Sequence, residues 1–339
     1  MATIRDVARE AGVSVGTVSN VLNDIPCVSE KKVKQVKDAI EKLGYRRNNL
    51  ASQLRSNVSN TIGLIVPDIT NPFYSEIARG VDDEAHRQNY NVFLCNKDRS
   101  EKLERELVNS LSAKCVDGII ILKPRISEKL IRKIREERSL LLFDTADGAP
   151  GEGILNVDDV SGIHLVAQKI LQYGHRKVGL IYESDGSFSS ESRKNAFLRE
   201  MRDNGIPVPE EYCQKGYFTV EGGMDGFARL MRLPDPPTVV FCINDRMAVG
   251  AVYQAKNMGL EVPGDVSVVG YDDIPEAKWT SPALSTVSHP KQVLGEICSK
   301  MLFSQIAKKN NRIFVDENID LSVLKPFFVE RVSLGPVRA

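Results

Sequence analysis

At 339 residues the chain exceeds what a single hydrophobic core usually supports, so two or three domains are expected. Its composition, 42% hydrophobic and 27% charged with 45 basic against 45 acidic side chains, is that of a soluble globular protein. No uninterrupted apolar run approaches the ~18–20 residues of a membrane helix, and Arg5, Asp6, Arg9 and Glu10 interrupt any signal-peptide core, so the chain is expected in the cytoplasm with no membrane partner.

The first elements are short helices. Ile4, Val7, Ala8 and Ala11 recur at the spacing of one helix face. Gly12 breaks that pattern, and Ser14 is placed to cap a second helix carrying Val18, Val21 and Leu22. Two such helices joined by a Gly-containing turn are the sequence form of a helix-turn-helix, with Val15, Gly16 and Asn20 presented outward for a major groove. On this pattern alone a plain helical hairpin is equally open. Ser29 then stands ready to cap a third helix with Val33, Val36, Ile40 and Leu43 inside, ending at Gly44. Its outer face carries Lys31, Lys32, Lys34, Lys37 and Lys42. Residues 1–60 hold 10 Lys/Arg against 6 Asp/Glu, a net +4, and the other 279 residues hold 35 against 39, a net −4. The positive end is therefore the small helical unit, as attraction to phosphates requires.

Residues 46–60 read as a linker containing one short helical turn, with Asn48 as its cap and Ala51 and Leu54 on one side next to Arg55. A helix this short does not hold in water by itself and is expected to fold only against a partner. From Thr61 the texture becomes alternating strands and helices. Apolar runs at 62–66, 92–95, 118–122, 140–143, 178–182, 239–242 and 266–269 suit strands buried on both faces of parallel sheets. Helical stretches near 73–89, 101–114, 190–204 and 244–258 separate them, which indicates two doubly wound domains. In such sheets a ligand binds beyond the carboxyl ends of the strands. There lie Pro67 through Phe73, Asn96-Lys97-Asp98, Asp144, Asn244-Asp245 and Gly270 through Asp273, with Arg193 after a loop rich in Gly and Ser and Phe218 after Gly216-Tyr217. Carboxylates, amides, one guanidinium and flat rings suit a polyhydroxylated ligand. A carboxylate following a strand is often a helix cap, and Asp245 and Asp273 are read as structural.

Ala2 through Ala8, Gly12-Val13-Ser14, Thr17-Val18-Ser19, Val21-Leu22-Asn23 and Leu43-Gly44-Tyr45 resemble the DNA-binding headpiece of the lactose-repressor/galactose-repressor (LacI/GalR) family, and later stretches match at matching distances. The resemblance implies a small all-α helix-turn-helix headpiece plus an α/β periplasmic-binding-protein-like core of two doubly wound parallel-sheet subdomains. It divides the chain into a headpiece (1–46), a hinge helix and linker (47–60), one core subdomain (61–160 and 290–320) and another (161–289 and 321–339). It implies a homodimer on a pseudo-palindromic double-stranded operator, without the leucine heptads of tetrameric relatives. Thr3, Ser14, Thr17, Ser19 and Tyr45 would hold phosphates, while Val15, Gly16 and Asn20 take the base-reading positions. In the hinge, Asn48, Ala51, Leu54 and Arg55 would meet the minor groove, Leu54 as a wedge between base steps. Family members commonly have Pro where this chain has Arg47, which blurs the start of that helix. Asn71, Phe73, Asp144, Arg193, Phe218, Asn244 and Asp272 match the family's effector contacts.

The implied function is a regulator, expected to be a repressor, whose operator affinity depends on a sugar or sugar derivative between the core subdomains. A catabolite-control-type regulator answering to a phosphorylated carrier protein, and a sugar receptor with no DNA role, are the alternatives. No enzyme is expected, and no cofactor or metal. Gly12 through Gly16 fits G-x-S-x-G but lies between two helices instead of at a strand-to-helix elbow. His86, His164, His175 and His289 lack ligand spacing. The six cysteines are widely spaced in apolar surroundings, the pattern of reduced, buried thiols.

Overall fold

The computed structural model describes residues 2–22, 25–45, 58–145, 153–183, 186–310 and 319–337. The chain forms two compact units, Met1–Ser59 and Asn60–Ala339.

In the first unit, α1 (Ile4–Ala11) starts at Thr3, whose hydroxyl accepts the Asp6 N–H while the Asp6 carboxylate accepts the Thr3 N–H at 2.9 Å. Gly12 ends the helix at φ 65°, a left-handed turn that favours glycine. The next helix, α2 (Val15–Leu22), starts from Ser14, whose Oγ accepts the Thr17 N–H at 3.1 Å. Packed across both is α3 (Glu30–Leu43). Ser29 precedes it in the cap position but makes no side-chain cap bond, contrary to expectation. Val7, Ala8, Ala11, Val18, Val21, Val36 and Ala39 make the shared core, so each helix spends its one apolar stripe inward and leaves its polar face to solvent.

The second unit holds two parallel sheets. One runs β2–β1–β3–β4–β5, with β1 (Thr61–Val66), β2 (Asn91–Asn96), β3 (Gly118–Leu122), β4 (Ser139–Phe143) and β5 (Ile154–Leu155). The other repeats that order as β7–β6–β8–β9, with β6 (Val178–Tyr182), β7 (Cys213–Lys215), β8 (Val239–Cys242) and β9 (Ser267–Val269). Each sheet thus has a switch point between its first and third strands, where crossovers leave in opposite directions and open a crevice. The helices between strands are α4 (Pro72–Arg87), α5 (Glu101–Ala113), α6 (Glu128–Glu137), α7 (Asp159–Gln172), α8 (Phe188–Asp203), α9 (Val220–Met231) and α10 (Asp245–Asn257); α7 leads from the first sheet to the second and the others are crossovers within a sheet. The chain then forms β10 (Thr286–Ser288), α11 (Lys291–Lys309) and β11 (Phe327–Val329), and β10 pairs antiparallel with β11.

Long-range packing assigns these last elements. Leu294, Ile297, Cys298, Leu302 and Ile306 of α11 join the core of the first sheet, whereas Val287 and Leu334 join that of the second. Two helix crossings are backbone-close. A Cβ on Gly80 of α4 would lie 1.9 Å from the Gln292 carbonyl, and one on Gly295 of α11 would lie 2.1 Å from that of Ile77. Gly223 of α9 and Gly250 of α10 meet in the same way, with Met247 O at 2.1 Å and Val220 O at 2.0 Å.

Two expectations are corrected. The run 92–95 is not buried on both faces: β2 is the edge strand, with a neighbour on one side only, and Phe93 and Leu94 are 43% and 48% exposed. Of the six thiols only Cys242 and Cys298 are buried; Cys27 and Cys115 are exposed, because they sit in turns, and Cys95 and Cys213 are partly so.

Candidate functional site

On the first unit, Val15 and Gly16 open α2 and both are exposed, Val15 by 41%. Thr17 is half-buried, its hydroxyl 2.9 Å from that of Ser14. Thr3 is committed to capping α1. Ser19 and Asn20 are half-buried, and the Asn20 amide donates to the Cys27 sulfur at 3.2 Å. Tyr45 packs its ring against the helical core. Lys31, Lys32, Lys34, Lys37 and Lys42 are all exposed on α3, and Lys42 pairs with Glu10 at 2.5 Å. Asn48, Ala51, Leu54 and Arg55 lie outside the described residues.

In the second unit a cleft is lined by Asn71, Phe73, Asp144, Arg193, Phe218, Asn244 and Asp272, all seven of the expected positions. The segments that follow β1 to β5 supply one wall, and those that follow β6 to β9, including the start of α8, the other. Backbone strain concentrates here: Arg99, Lys123, Asp144, Phe218 and Asp272 line the cleft at φ 58°, 51°, 63°, 56° and 115°.

Arg193 is the centre of the second wall. Its Nε donates to Asp159 at 2.8 Å, and a terminal nitrogen donates to Asp272 and to the Ile243 carbonyl, each at 3.0 Å. Its guanidinium carbon lies 4.1 Å from the centre of the Tyr271 ring. Burial opposes its charge, but Asp159 and Asp272 outweigh burial and hold its pKa well above the ordinary value. Burial pushes Asp272 up, and Arg193 and Lys291 partly offset that. The Tyr271 hydroxyl also donates to Asp159, at 3.1 Å, so the anchor is fixed before any ligand arrives.

Asn71 and Asn244 are N-caps. Asn71 Oδ1 accepts the Phe73 N–H at 3.1 Å, and Asn244 Oδ1 accepts the Met247 N–H at 3.0 Å. That fixes both amides with Nδ2 as the group a ligand hydroxyl can use. Asp144 has both oxygens engaged across the cleft, with Ser189 of α8. Three more contacts cross it: Lys123 Nζ to Ser187 Oγ at 3.2 Å, Arg99 to the Tyr217 carbonyl at 2.9 Å, and Arg246 to Asp68 at 2.9 Å. The cavity so enclosed is only about 30 Å³, so a sugar-sized ligand enters only when the walls part.

Asp245 turns away from the cleft, taking the Ile274 N–H at 2.9 Å and the Thr286 hydroxyl at 2.6 Å; burial pushes its pKa up to about 7. Asp273 pairs with Arg331 at 2.6 Å. Sequence reading missed Lys123, Arg125, Arg99, Val157 and Ser189 among the lining residues. The signal for the first two was the strand-end rule itself, since Lys123-Pro124-Arg125 follows β3 directly. His175 bridges Thr238 and the Gly335 carbonyl, and no cluster of metal-binding side chains occurs among the described residues. No helix there is long and apolar enough to cross a membrane.

The model for bacterial regulatory proteins of the lacI family matches residues 3–48, and that for a periplasmic binding protein-like domain matches residues 167–321. The HTH-type transcriptional regulator RegA of Clostridium saccharobutylicum is 36% identical over 315 residues, covering 91% of this chain and 94% of that one. The lac repressor dimer bound to operator and the anti-inducer ONPF superposes with a TM-score of 0.85 at 25% identity over 98% of each chain. A complex of the transcriptional regulator CelR with cellobiose matches with a TM-score of 0.71 at 27% identity, over 98% of this chain and all of that one. A capped helix-turn-helix with a basic face, followed by two like-ordered parallel sheets around a polar cleft, is thus shared along the whole length with DNA-binding regulators, and the chain belongs to the lacI family of bacterial regulatory proteins.

Proposed function

We propose that this protein is a homodimeric repressor whose grip on a two-fold-related operator is set by a sugar-type effector in the core cleft. The observation that carries the reading is the convergence of the seven expected effector positions, from the segments that follow six different strands, on one cleft. Asp272 and Arg193 offer hydroxyl groups an acceptor and a donor in fixed geometry, Asn71 and Asn244 offer amide donors, and Phe73 and Phe218 offer flat apolar faces. Cellobiose in the CelR complex is a ligand of that chemistry. On the DNA side, Val15 and Gly16 stand exposed at the start of α2, where a recognition helix reads base edges. Exposed Phe93 and Leu94 on the edge strand, with Tyr253 of α10 at 55%, supply apolar surface for a second copy. The lac repressor dimer shows the assembly in a relative.

The cleft controls DNA binding only through differential affinity for its open and closed forms. The four cross-cleft contacts are the differential element, since they exist only when the walls meet. Selection from randomised duplex DNA should recover a two-fold-related sequence, and a sugar screen on that complex should find compounds that change its dissociation constant. Recovery of sequences without two-fold symmetry, or indifference of the complex to every compound that binds the core, overturns the reading.

A further inference from the structure

We propose that Lys97 and Glu104 are positioning residues of the cleft: a buried ion pair that holds the loop after β3 in the strained form from which Lys123 reaches the opposite wall. This role rests on the cleft being the effector site, and it concerns what sets the closed form of that site.

The loop carries strain that its own residues do not relieve. Lys123 has φ 51°, a left-handed value unfavourable to lysine, and it precedes Pro124, whose ring favours extended backbone in the residue before it. Such a residue persists only where its surroundings over-determine it. Here both of its backbone groups are pinned. The Lys123 N–H donates to the Phe143 carbonyl at 2.7 Å, and the Lys123 carbonyl accepts from Lys97 Nζ at 2.5 Å. Pro124 has no N–H to offer, and the next donor, the Arg125 N–H, goes to Glu104 of α5 at 3.1 Å. Lys97 and Glu104 meet each other at 2.7 Å.

The pair is placed for this task. In the sheet β1 stands between β2 and β3, so the end of β2, which carries Lys97, lies two strand spacings, roughly 10 Å, from the end of β3. A lysine is long enough to cross that gap. Lys97 and Glu104 are both 0% exposed, and a buried ion pair gains a fold little over an apolar pair of the same volume. What an apolar pair lacks is a donor for the Lys123 carbonyl. Burial brings the Lys97 pKa down to about 8 even with Glu104 beside it, and Lys123 and Arg125 are the other charged groups that face it. The held loop delivers the contact across the cleft: Lys123 Nζ lies 3.2 Å from Ser187 Oγ and 4.9 Å from the centre of the Phe218 ring, with Asp144 of its own wall at 3.4 Å. Releasing the Lys123 carbonyl lets the loop relax toward extended backbone and draws that ammonium off the opposite wall.

The test is acetylation of the full-length protein with N-hydroxysuccinimidyl acetate, read lysine by lysine by mass spectrometry. Lys97→Met alone strands Glu104, so the main comparison is with the double variant Lys97→Met/Glu104→Gln, which keeps the shape of the pair without its charges. The Lys123 side chain, 13% exposed, should be shielded in the wild type relative to exposed Lys31, and about tenfold more reactive in a folded double variant, the loss of one hydrogen bond from a charged donor. From pH 7 to 9, through the Lys97 pKa of about 8, the wild-type shielding should fade, because an uncharged amine holds the carbonyl more weakly; in the double variant the ratio to Lys31 should stay flat. Equal shielding in both proteins, no pH step in the wild type, or a double variant that fails to fold overturns the proposal, the last because the pair would then serve the core instead of the cleft. Neither measurement uses a ligand or DNA. Operator affinity indifferent to every compound that binds the core strikes the effector reading and leaves the shielding difference in place, whereas equal shielding does the reverse.

Discussion

Asp144 and Ser189 are joined twice: the carboxylate accepts the Ser189 N–H at 2.7 Å and the Ser189 hydroxyl at 2.6 Å. This double bond of an acid at the end of β4 to the first turn of α8 ties one sheet to the other across the cleft, aided by the positive end of the helix.

Asp144→Ala should therefore loosen the closed form. Hydrogen bonds to a charged group are worth ~1.5–3 kcal/mol, so loss of the pair shifts the closed–open balance by at least about tenfold toward open. Small-angle scattering should record a larger radius of gyration for the core. An unchanged scattering curve would show that the other three cross-cleft contacts suffice.

Arg193→Ala should remove the ligand response and also destabilise the core, because it strands Asp159 and Asp272, which are 3% and 4% exposed. Breaking a buried ion pair from one side costs ~3–5 kcal/mol. Arg193→Lys keeps a charge but not the fork, and should recover most of the thermal stability without the ligand affinity. Stability loss alone, with ligand binding intact in the lysine variant, would make Arg193 purely structural.

Gly80→Ala and Gly295→Ala should each lower the melting temperature, since the added methyl meets backbone in the opposing helix; overpacking of this kind costs ~1–3 kcal/mol or more. Gly16→Ala is the contrast. There the nearest atom to a new Cβ is Ser14 Oγ at 3.7 Å, an ordinary contact, so the headpiece keeps its fold. The same methyl alters the surface offered to the major groove, and operator preference should change with no loss of fold. Equal binding to the original and all substituted operators would remove Gly16 from the reading surface.

Asp245 sets a pH dependence. Its folded pKa of about 7 lies above the ordinary 3.8, so the folded state binds the proton more tightly. From this group stability rises as pH falls from 7 towards 4, and the burial penalty is complete above 7. Asp245→Asn removes the titration, and its amide can donate to Thr286 while its oxygen keeps the Ile274 N–H. The variant should gain on the wild type most above pH 7 and least near pH 5 in paired thermal melts. A difference independent of pH would show that Asp245 stays ionised.

The local signals in the chain were strong where each element carries its own instructions. Gly12, Ser14 and Gly44 bound the headpiece helices through caps that span four residues or fewer, and continuous apolar runs marked β1, β3, β4, β6 and β8. The strand-end rule reached Asn71, Phe73, Asp144, Asn244 and Asp272 for the same reason, since each follows a legible strand, whereas Arg193 and Phe218 were reached through the family resemblance. Elements with no such signal went unread: β7 is three residues without an apolar run, and α9 contains Gly222, Gly223 and Gly226, poor helix formers, of which Gly223 lets α10 approach while Gly222 lies against the Gly216 backbone.

What the sequence determined alone was the kind of protein: a capped basic headpiece, parallel-sheet units, and a polar set of side chains at the strand ends. What only the tertiary structure decided was partnership. Which core receives α11, that Asp144 meets Ser189 while Arg193 is held between Asp159 and Asp272, and that Arg99 and Lys123 share the face of Phe218 are contacts between residues 34 to 119 positions apart or more. Burial and charge balance act across space, and no period or spacing along the chain encodes which distant groups will share one low-dielectric cleft.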